Sequence, residues 1–91
     1  MNQSEIRRVF DEVYNGQPNI MTPNRIKFGA KGVYIWELSF GSDFDGNQLY
    51  GVTVLKRTGI PSKPWEKAFD LSKCCFSHSE AEAYIRDLKE T

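Results

Sequence analysis

Apolar and polar residues alternate along two neighbouring stretches in the middle of the chain, residues 33–40 and 49–57. Such alternation predicts β-strands, because successive side chains of a strand point to opposite faces of a sheet. Gly46 lies in the short connection and can adopt the positive φ of a tight turn. A three-residue loop ending at Gly46 pairs Asp43 with Asn47, and so predicts a long antiparallel hairpin.

This pairing sorts the hairpin into two faces. What we term the aromatic face consists of three cross-strand pairs: Phe40 with Tyr50, Leu38 with Val52, and Trp36 with Val54. On the opposite side, termed the outer face, Ile35 pairs with Leu55, Glu37 with Thr53 and Ser39 with Gly51. A shorter, two-residue turn would shift the register by one residue and mix apolar with polar positions on each face, so we prefer the longer loop.

Amphipathic helices are predicted at both ends of the chain. In residues 4–15 an apolar stripe recurs at helical spacing, with Gly16 as the stop signal. Near the C-terminus, Ser77 and Glu80 have the spacing of a capping box, and a second apolar stripe extends from Ala81 to Leu88.

The remaining segments complete the predicted fold. Residues 25–28 alternate like a strand, and residues 29–32 form a turn into the hairpin, which makes a three-stranded antiparallel meander. Pro18 and Pro23 mark residues 17–24 as a linker. Residues 65–76 are compatible with either a short fourth strand or an irregular packed segment.

Residues 1–91 are therefore expected to form a single small α+β domain. In the predicted two-layer arrangement, both helices pack on the aromatic face of the sheet. Ile26 and Phe28 of the first strand are expected to join that same face.

Charge and composition narrow the function classes. Twelve Lys and Arg residues balance twelve Asp and Glu residues, so composition alone does not indicate a strongly anionic partner. No apolar run is long enough for a membrane span, and the first residues lack the pattern of a signal peptide. The two cysteines, Cys74 and Cys75, are adjacent and cannot link distant segments, so we expect a reducing cytoplasm.

Catalytic and metal chemistry have little support in the sequence. Cys74, Cys75 and His78 lie close together, but a zinc site usually takes four ligands from two separated pairs. A Cys–His nucleophile would also need an orienting acid and an oxyanion site. Residues 43–47 begin like a calcium loop, but Gly46 comes too early for one. We expect a non-catalytic domain with no metal and no cofactor.

Apolar residues on the outer face are the first candidate binding surface: Val33, Ile35, Leu49 and Leu55. Either the segment from Ile60 to Phe76 covers this face, or a partner does. The second possibility predicts a protein-interaction or regulatory domain that binds another protein or a second copy of itself.

Basic residues near the ends of the strands are the second candidate: Arg25, Lys27, Lys31, Lys56 and Arg57. One patch of these side chains would suit a phosphate backbone and predicts a nucleic-acid-binding accessory domain as the alternative function. Edge strands also carry Lys and Arg simply to prevent edge-to-edge aggregation, and this is the interpretation we favour.

Two topological resemblances point toward nucleic acid. The order helix, three strands, helix is similar to that of double-stranded-RNA-binding domains over most of the chain. That family carries lysines at the start of its last helix, where this chain has residues 77–82, Ser-His-Ser-Glu-Ala-Glu. The strands followed by residues 76–83 also resemble the arm-binding domains of phage-type integrases, which place the outer sheet face on DNA.

Overall fold

The computed structural model describes residues 1–14, 24–42 and 45–90. The elements are α1 (Gln3–Tyr14), β1 (Asn24–Lys31), β2 (Tyr34–Ser42), β3 (Gln48–Arg57), β4 (Trp65–Lys67), β5 (Lys73–Cys75) and α2 (His78–Glu90). The predicted α+β class and the antiparallel β1–β2–β3 meander are confirmed. The stop at Gly16, the linker up to Pro23 and the pairing of Asp43 lie outside the described residues.

The central hairpin has the predicted register. Trp36 pairs with Val54, Leu38 with Val52, Phe40 with Tyr50, and Ile35 with Leu55. Gly46 adopts a φ of 84°, as the turn required. Alternation of apolar and polar positions was therefore sufficient to place two strands against each other correctly, because only one register keeps both faces consistent.

The segment after β3 forms two short strands. β4 pairs with the end of β3, where Arg57 lies opposite Trp65, and β5 pairs with its beginning, where Tyr50 lies opposite Cys75. Between them, the backbone N–H of Val54 donates to Ser72 Oγ at 3.0 Å. The polar backbone edge of β3 is thus covered along most of its length by one segment, in which β4 and β5 run in the same direction on either side of a turn.

β1 departs from the prediction in the faces on which its side chains lie, and its register against β2 also shifts between Arg25 and Lys27. Phe28 lies opposite Glu37, which places it on the outer face, and the side chain of Ile26 is exposed. The expectation that both residues join the aromatic face is wrong. The turn is also shorter than predicted, since β1 continues to Lys31.

Gly29 lies inside β1 and faces Trp36 across the strand pair. A Cβ atom added at Gly29 would stand 2.1 Å from Cζ2 of the Trp36 indole. The glycine is therefore needed to make room for the indole, rather than to form a turn.

The two helices lie on opposite faces of the sheet, which corrects the predicted two-layer arrangement. α2 packs Ala81 and Ile85 against the aromatic face around Leu38. α1 packs Ile6 and Phe10 against the outer face, in a core that is completed by Phe28, Ile35 and Leu55. The outer face carries enough apolar side chains to pack against a helix. The apolar stripes of α1 and α2 therefore did not have to pack on the same face.

Both helices begin with a side-chain cap. Asn2 Oδ1 accepts the backbone N–H of Glu5 at 2.9 Å, and Ser77 Oγ accepts that of Glu80 at 3.1 Å. Glu80 Oε2 in turn accepts the N–H of Phe76 at 3.3 Å, one residue earlier than in the standard capping box.

Candidate functional site

The four apolar residues predicted as an interface do not form one exposed surface. Ile35 and Leu55 are 1% and 0% exposed beneath α1. Val33 is 47% exposed in the β1–β2 turn, and Leu49 is half-buried at the other end of the hairpin. Of the four, only Val33 presents a largely exposed side chain.

The centre of the outer face is covered by two elements, α1 and β4. α1 covers the part formed by Phe28, Ile35 and Leu55, and Trp65 of β4 packs against the same core. The segment that could have covered the face alone contributes only in part, because the side chains of Ile60 and Phe69 are exposed.

The margin of the outer face beside β5 contains a groove of about 250 Å³. Gly51 and Thr53 of β3 lie along it, with Cys74 of β5 opposite Gly51. Phe69, in the turn between β4 and β5, borders the groove and is 77% exposed. An aromatic side chain this exposed on a small domain contributes apolar surface that a partner can bury.

The charged residues described in the groove lining, Lys67 and Lys73, are both cationic. Lys67 Nζ lies 4.9 Å from the centroid of the Phe69 ring, so this ammonium group and the Phe69 ring form a cation–π pair. Lys73 Nζ is 3.7 Å from Glu80 Oε1 and 5.2 Å from the Tyr84 ring centroid. The groove therefore joins apolar surface to positive charge.

The predicted basic residues are dispersed rather than gathered into one patch. Arg25 is on the outer face, where its Nε lies 2.5 Å from Glu37 Oε1 and its Nη1 contacts Asp11 Oδ1. Lys27 points toward α2, with its Nζ 2.8 Å from Glu82 Oε2. These two cations are paired with acidic side chains from opposite sides of the sheet.

The three remaining cations lie at the far end of the sheet. Lys31 donates to the backbone carbonyl of Lys89, and Lys56 lies opposite Tyr34 and Glu66. The Arg57 guanidinium carbon stands 5.0 Å from the centroid of the Trp65 ring. Lys31 and Lys56 share the aromatic face, whereas Arg57 is on the outer one.

The pKa values of the two acidic partners, Glu37 and Glu82, are shifted in opposite directions. Burial raises the pKa of the Glu37 carboxyl, and the neighbouring Arg25 offsets this only in part. The hydrogen bond from Lys27 lowers the pKa of Glu82. Glu37 is thus a buried carboxyl within a core, whereas Glu82 is a partly exposed partner on a helix surface.

The cysteines and the histidine point in different directions. Cys74 is exposed on the outer face, whereas Cys75 is buried in the core under α2, and its burial raises the pKa of its thiol. The His78 ring meets Tyr50 edge-on at 5.6 Å, and its Nε2 is 3.4 Å from Glu82 Oε1. In the described ranges, no group of three or more His, Cys, Asp or Glu side chains is placed to hold a metal ion.

Sequence reasoning missed the groove. It depends on β4 and β5 pairing with separate parts of β3, which no local pattern encodes. The one signal available was the alternation of Phe69 with Leu71, which favoured a continuous strand and so concealed the turn.

The chain matches no family model, no curated protein and no solved structure. Neither α1 nor α2, the helices of the described part of the chain, is both long and apolar enough to cross a membrane.

Proposed function

We propose that this chain is a non-catalytic binding domain that captures a segment of another protein in the groove beside β5. The observation that carries the proposal is the exposed Phe69 ring, with Lys67 stacked on it, at the border of a groove. This moves the interaction from the centre of the outer face, which α1 covers, to the margin that α1 leaves open.

The chemistry of the groove defines its partner. Aromatic side chains supply much of the binding energy in protein interfaces, and Phe69 is placed to fill that role. Lys67 favours carboxylates nearby, since charge complementarity steers encounter and fixes orientation, whereas the Lys73 ammonium already lies beside Glu80. The best match is a protein segment that carries both acidic and apolar side chains.

A protein partner has more support than a nucleic acid. Arg25 and Lys27 are engaged with Asp11, Glu37 and Glu82, and a phosphate backbone would have to compete with those carboxylates. Counterion release needs several cations that are free to contact phosphates together. The dispersed cations of this chain do not provide such a stripe.

Selection from a random peptide library on the immobilised chain tests the proposal. Enriched peptides should combine Asp or Glu with aromatic or aliphatic residues. Replacing Phe69 by Ser should weaken their binding about tenfold or more, as expected for a central aromatic contact. Ile60→Ser is the matched control, because Ile60 is also an exposed apolar residue but does not border the groove.

Other results would count against the proposal. Peptides whose affinity is equally reduced by Phe69→Ser and Ile60→Ser do not use the groove. Sedimentation that shows a dimer lost in Phe69→Ser would replace the heterologous partner by a second copy of the chain. Salt-sensitive binding of double-stranded or single-stranded nucleic acid of random sequence, without any peptide binding, would favour the nucleic-acid alternative instead.

A further inference from the structure

A second cavity, of about 350 Å³, lies on the opposite side of the sheet from the groove. It is at the end of the aromatic face, between the β1–β2 turn, β3 and the last turns of α2. Its apolar walls are formed by Val33, Tyr34, Trp36, Val54, Leu71 and Leu88. This volume is within the range of cavities that enclose small organic molecules.

Trp36 contributes an unusual feature to this cavity. Its side chain is only 3% exposed, and the indole Nε1–H has no hydrogen-bond partner among the residues that the structure describes. Burying such a donor unpaired is unfavourable, and native proteins contain few of them. Because the Nε1 atom itself is enclosed by the protein, the indole contributes an apolar wall to the cavity rather than a donor.

Positive charge adjoins the same ring. Lys31 lines the cavity and donates one of its three N–H groups to the Lys89 carbonyl, which leaves two N–H groups for a ligand. Lys89 Nζ stands 5.5 Å from the centroid of the Trp36 ring. The acceptor that suits this surrounding is therefore anionic.

We propose that this cavity binds a small apolar carboxylate, with its alkyl or aryl part against the six apolar walls. Its carboxylate accepts hydrogen bonds from the Lys31 ammonium group. An uncharged apolar molecule would gain no charge-assisted hydrogen bond from Lys31, and a small hydrophilic anion would leave the apolar walls uncovered. Only a ligand with both parts satisfies both observations.

Nuclear magnetic resonance on the full chain labelled with ¹⁵N at tryptophan tests this, with octanoate as the probe and octanol as its uncharged counterpart. The Trp36 indole resonance should shift and saturate with octanoate, while that of Trp65, on the outer face, stays unchanged. Octanol should bind about tenfold more weakly, because it lacks the charge that strengthens hydrogen bonds to Lys31. This comparison needs no variant, so it does not depend on any substitution folding.

A pair of lysine variants checks the anion contact. Lys31→Met keeps the aliphatic stem and should weaken octanoate binding about tenfold, whereas Lys63→Met, in the exposed loop before β4, should leave it unchanged. A Trp36 resonance that does not saturate, equal affinity for octanoate and octanol, or equal effects of the two substitutions would overturn the proposal. None of these results bears on the peptide groove, because Phe69 and Trp36 belong to separate sites.

Discussion

The two faces of the sheet are built by different means. Under α2, the aromatic face buries an apolar set without ionic groups: Trp36, Leu38, Val52 and Val54 of the sheet with Cys75, Ala81 and Ile85. Under α1, the outer face buries Phe28, Ile35 and Leu55 beside a carboxylate, Glu37, which is paired with Arg25. The buried core on one side of the sheet is thus apolar, and the core on the other combines apolar burial with a charge pair.

This difference shows where the domain has room for function. A helix that covers only part of the outer face leaves Gly51, Thr53 and Cys74 at an accessible groove. α2 covers the centre of the aromatic face, and a cavity opens where Leu88 of the last helical turns meets the β1–β2 turn. Each candidate site therefore lies where a helix stops covering the sheet.

The largest expected effect comes from placing a charge beneath α1. Ile35→Glu would bury a carboxylate against Ile6 and Phe10, and it should cost about 4 kcal/mol or more of unfolding free energy. Val33→Glu is the control, because Val33 is also an aliphatic residue of the hairpin but lies exposed in the β1–β2 turn, so its change should stay within about 0.5 kcal/mol.

Circular dichroism and urea unfolding measure both variants. A loss of folded structure in Ile35→Glu alone would support α1 as the cover of the outer face. If Ile35→Glu instead remained as stable as Val33→Glu, the helix would not pack there.

A pair of glycines compares the two faces more finely. Gly29→Ala puts a methyl group into the Trp36 ring and should destabilise the domain by about 1–3 kcal/mol, as overpacked cores do. Gly51→Ala on the outer face meets only Ser39 Oγ, at 3.4 Å, and should change stability by no more than about 0.5 kcal/mol. Thermal unfolding of the two variants measures the difference in stability directly. Equal losses of stability would show that the Trp36 ring moves to accommodate the added methyl group.

The smallest expected effect separates the two ion pairs by the sign of their pH dependence. The raised pKa of Glu37 means that its proton is held more tightly in the folded state. Its contribution to stability is present at acidic pH and is lost as pH rises through the folded-state pKa. The lowered pKa of Glu82 has the reverse effect, since its contribution is present above the ordinary carboxyl range and is lost on acidification.

Urea unfolding between about pH 3 and pH 7 tests this with Glu37→Gln and Glu82→Gln. The stability of the unaltered chain relative to Glu37→Gln should fall as pH rises. Relative to Glu82→Gln it should increase by about 0.5 kcal/mol, the usual value of a partly exposed pair. The same sign for both substitutions would contradict the assigned environments.

The hairpin was predictable because its information is local and redundant. Every pair from Ile35–Leu55 to Phe40–Tyr50 supports the same alignment, and a slip would break all of them together. The Ser77 cap was likewise encoded within four residues. The matching cap of α1 had the same kind of signal, Asn2 three residues before Glu5, and was overlooked.

The placement of the helices was not predictable from the same patterns. An amphipathic stripe shows which side of a helix is buried, but not which face of a sheet receives it. Here both faces carry apolar residues, Leu38 on one and Ile35 on the other. The tight turn that pairs Lys31 with Tyr34 places Phe28 opposite Glu37 on the outer face. The shift between Arg25 and Lys27 then places Arg25 opposite Ser39 on that same face, and a single displaced residue in a strand cannot be seen without its partner.

Cys74 and Cys75 are consecutive in the chain, yet strand β5 separates them into two chemical environments. An oxidant or alkylating reagent can reach the first thiol while the sheet stays intact. The second becomes reactive only when β5 or α2 moves away from β3, since its sulfur is enclosed between the sheet and α2. Modification of one thiol or of both would thus record, as a permanent change in mass, whether this margin of the domain had opened.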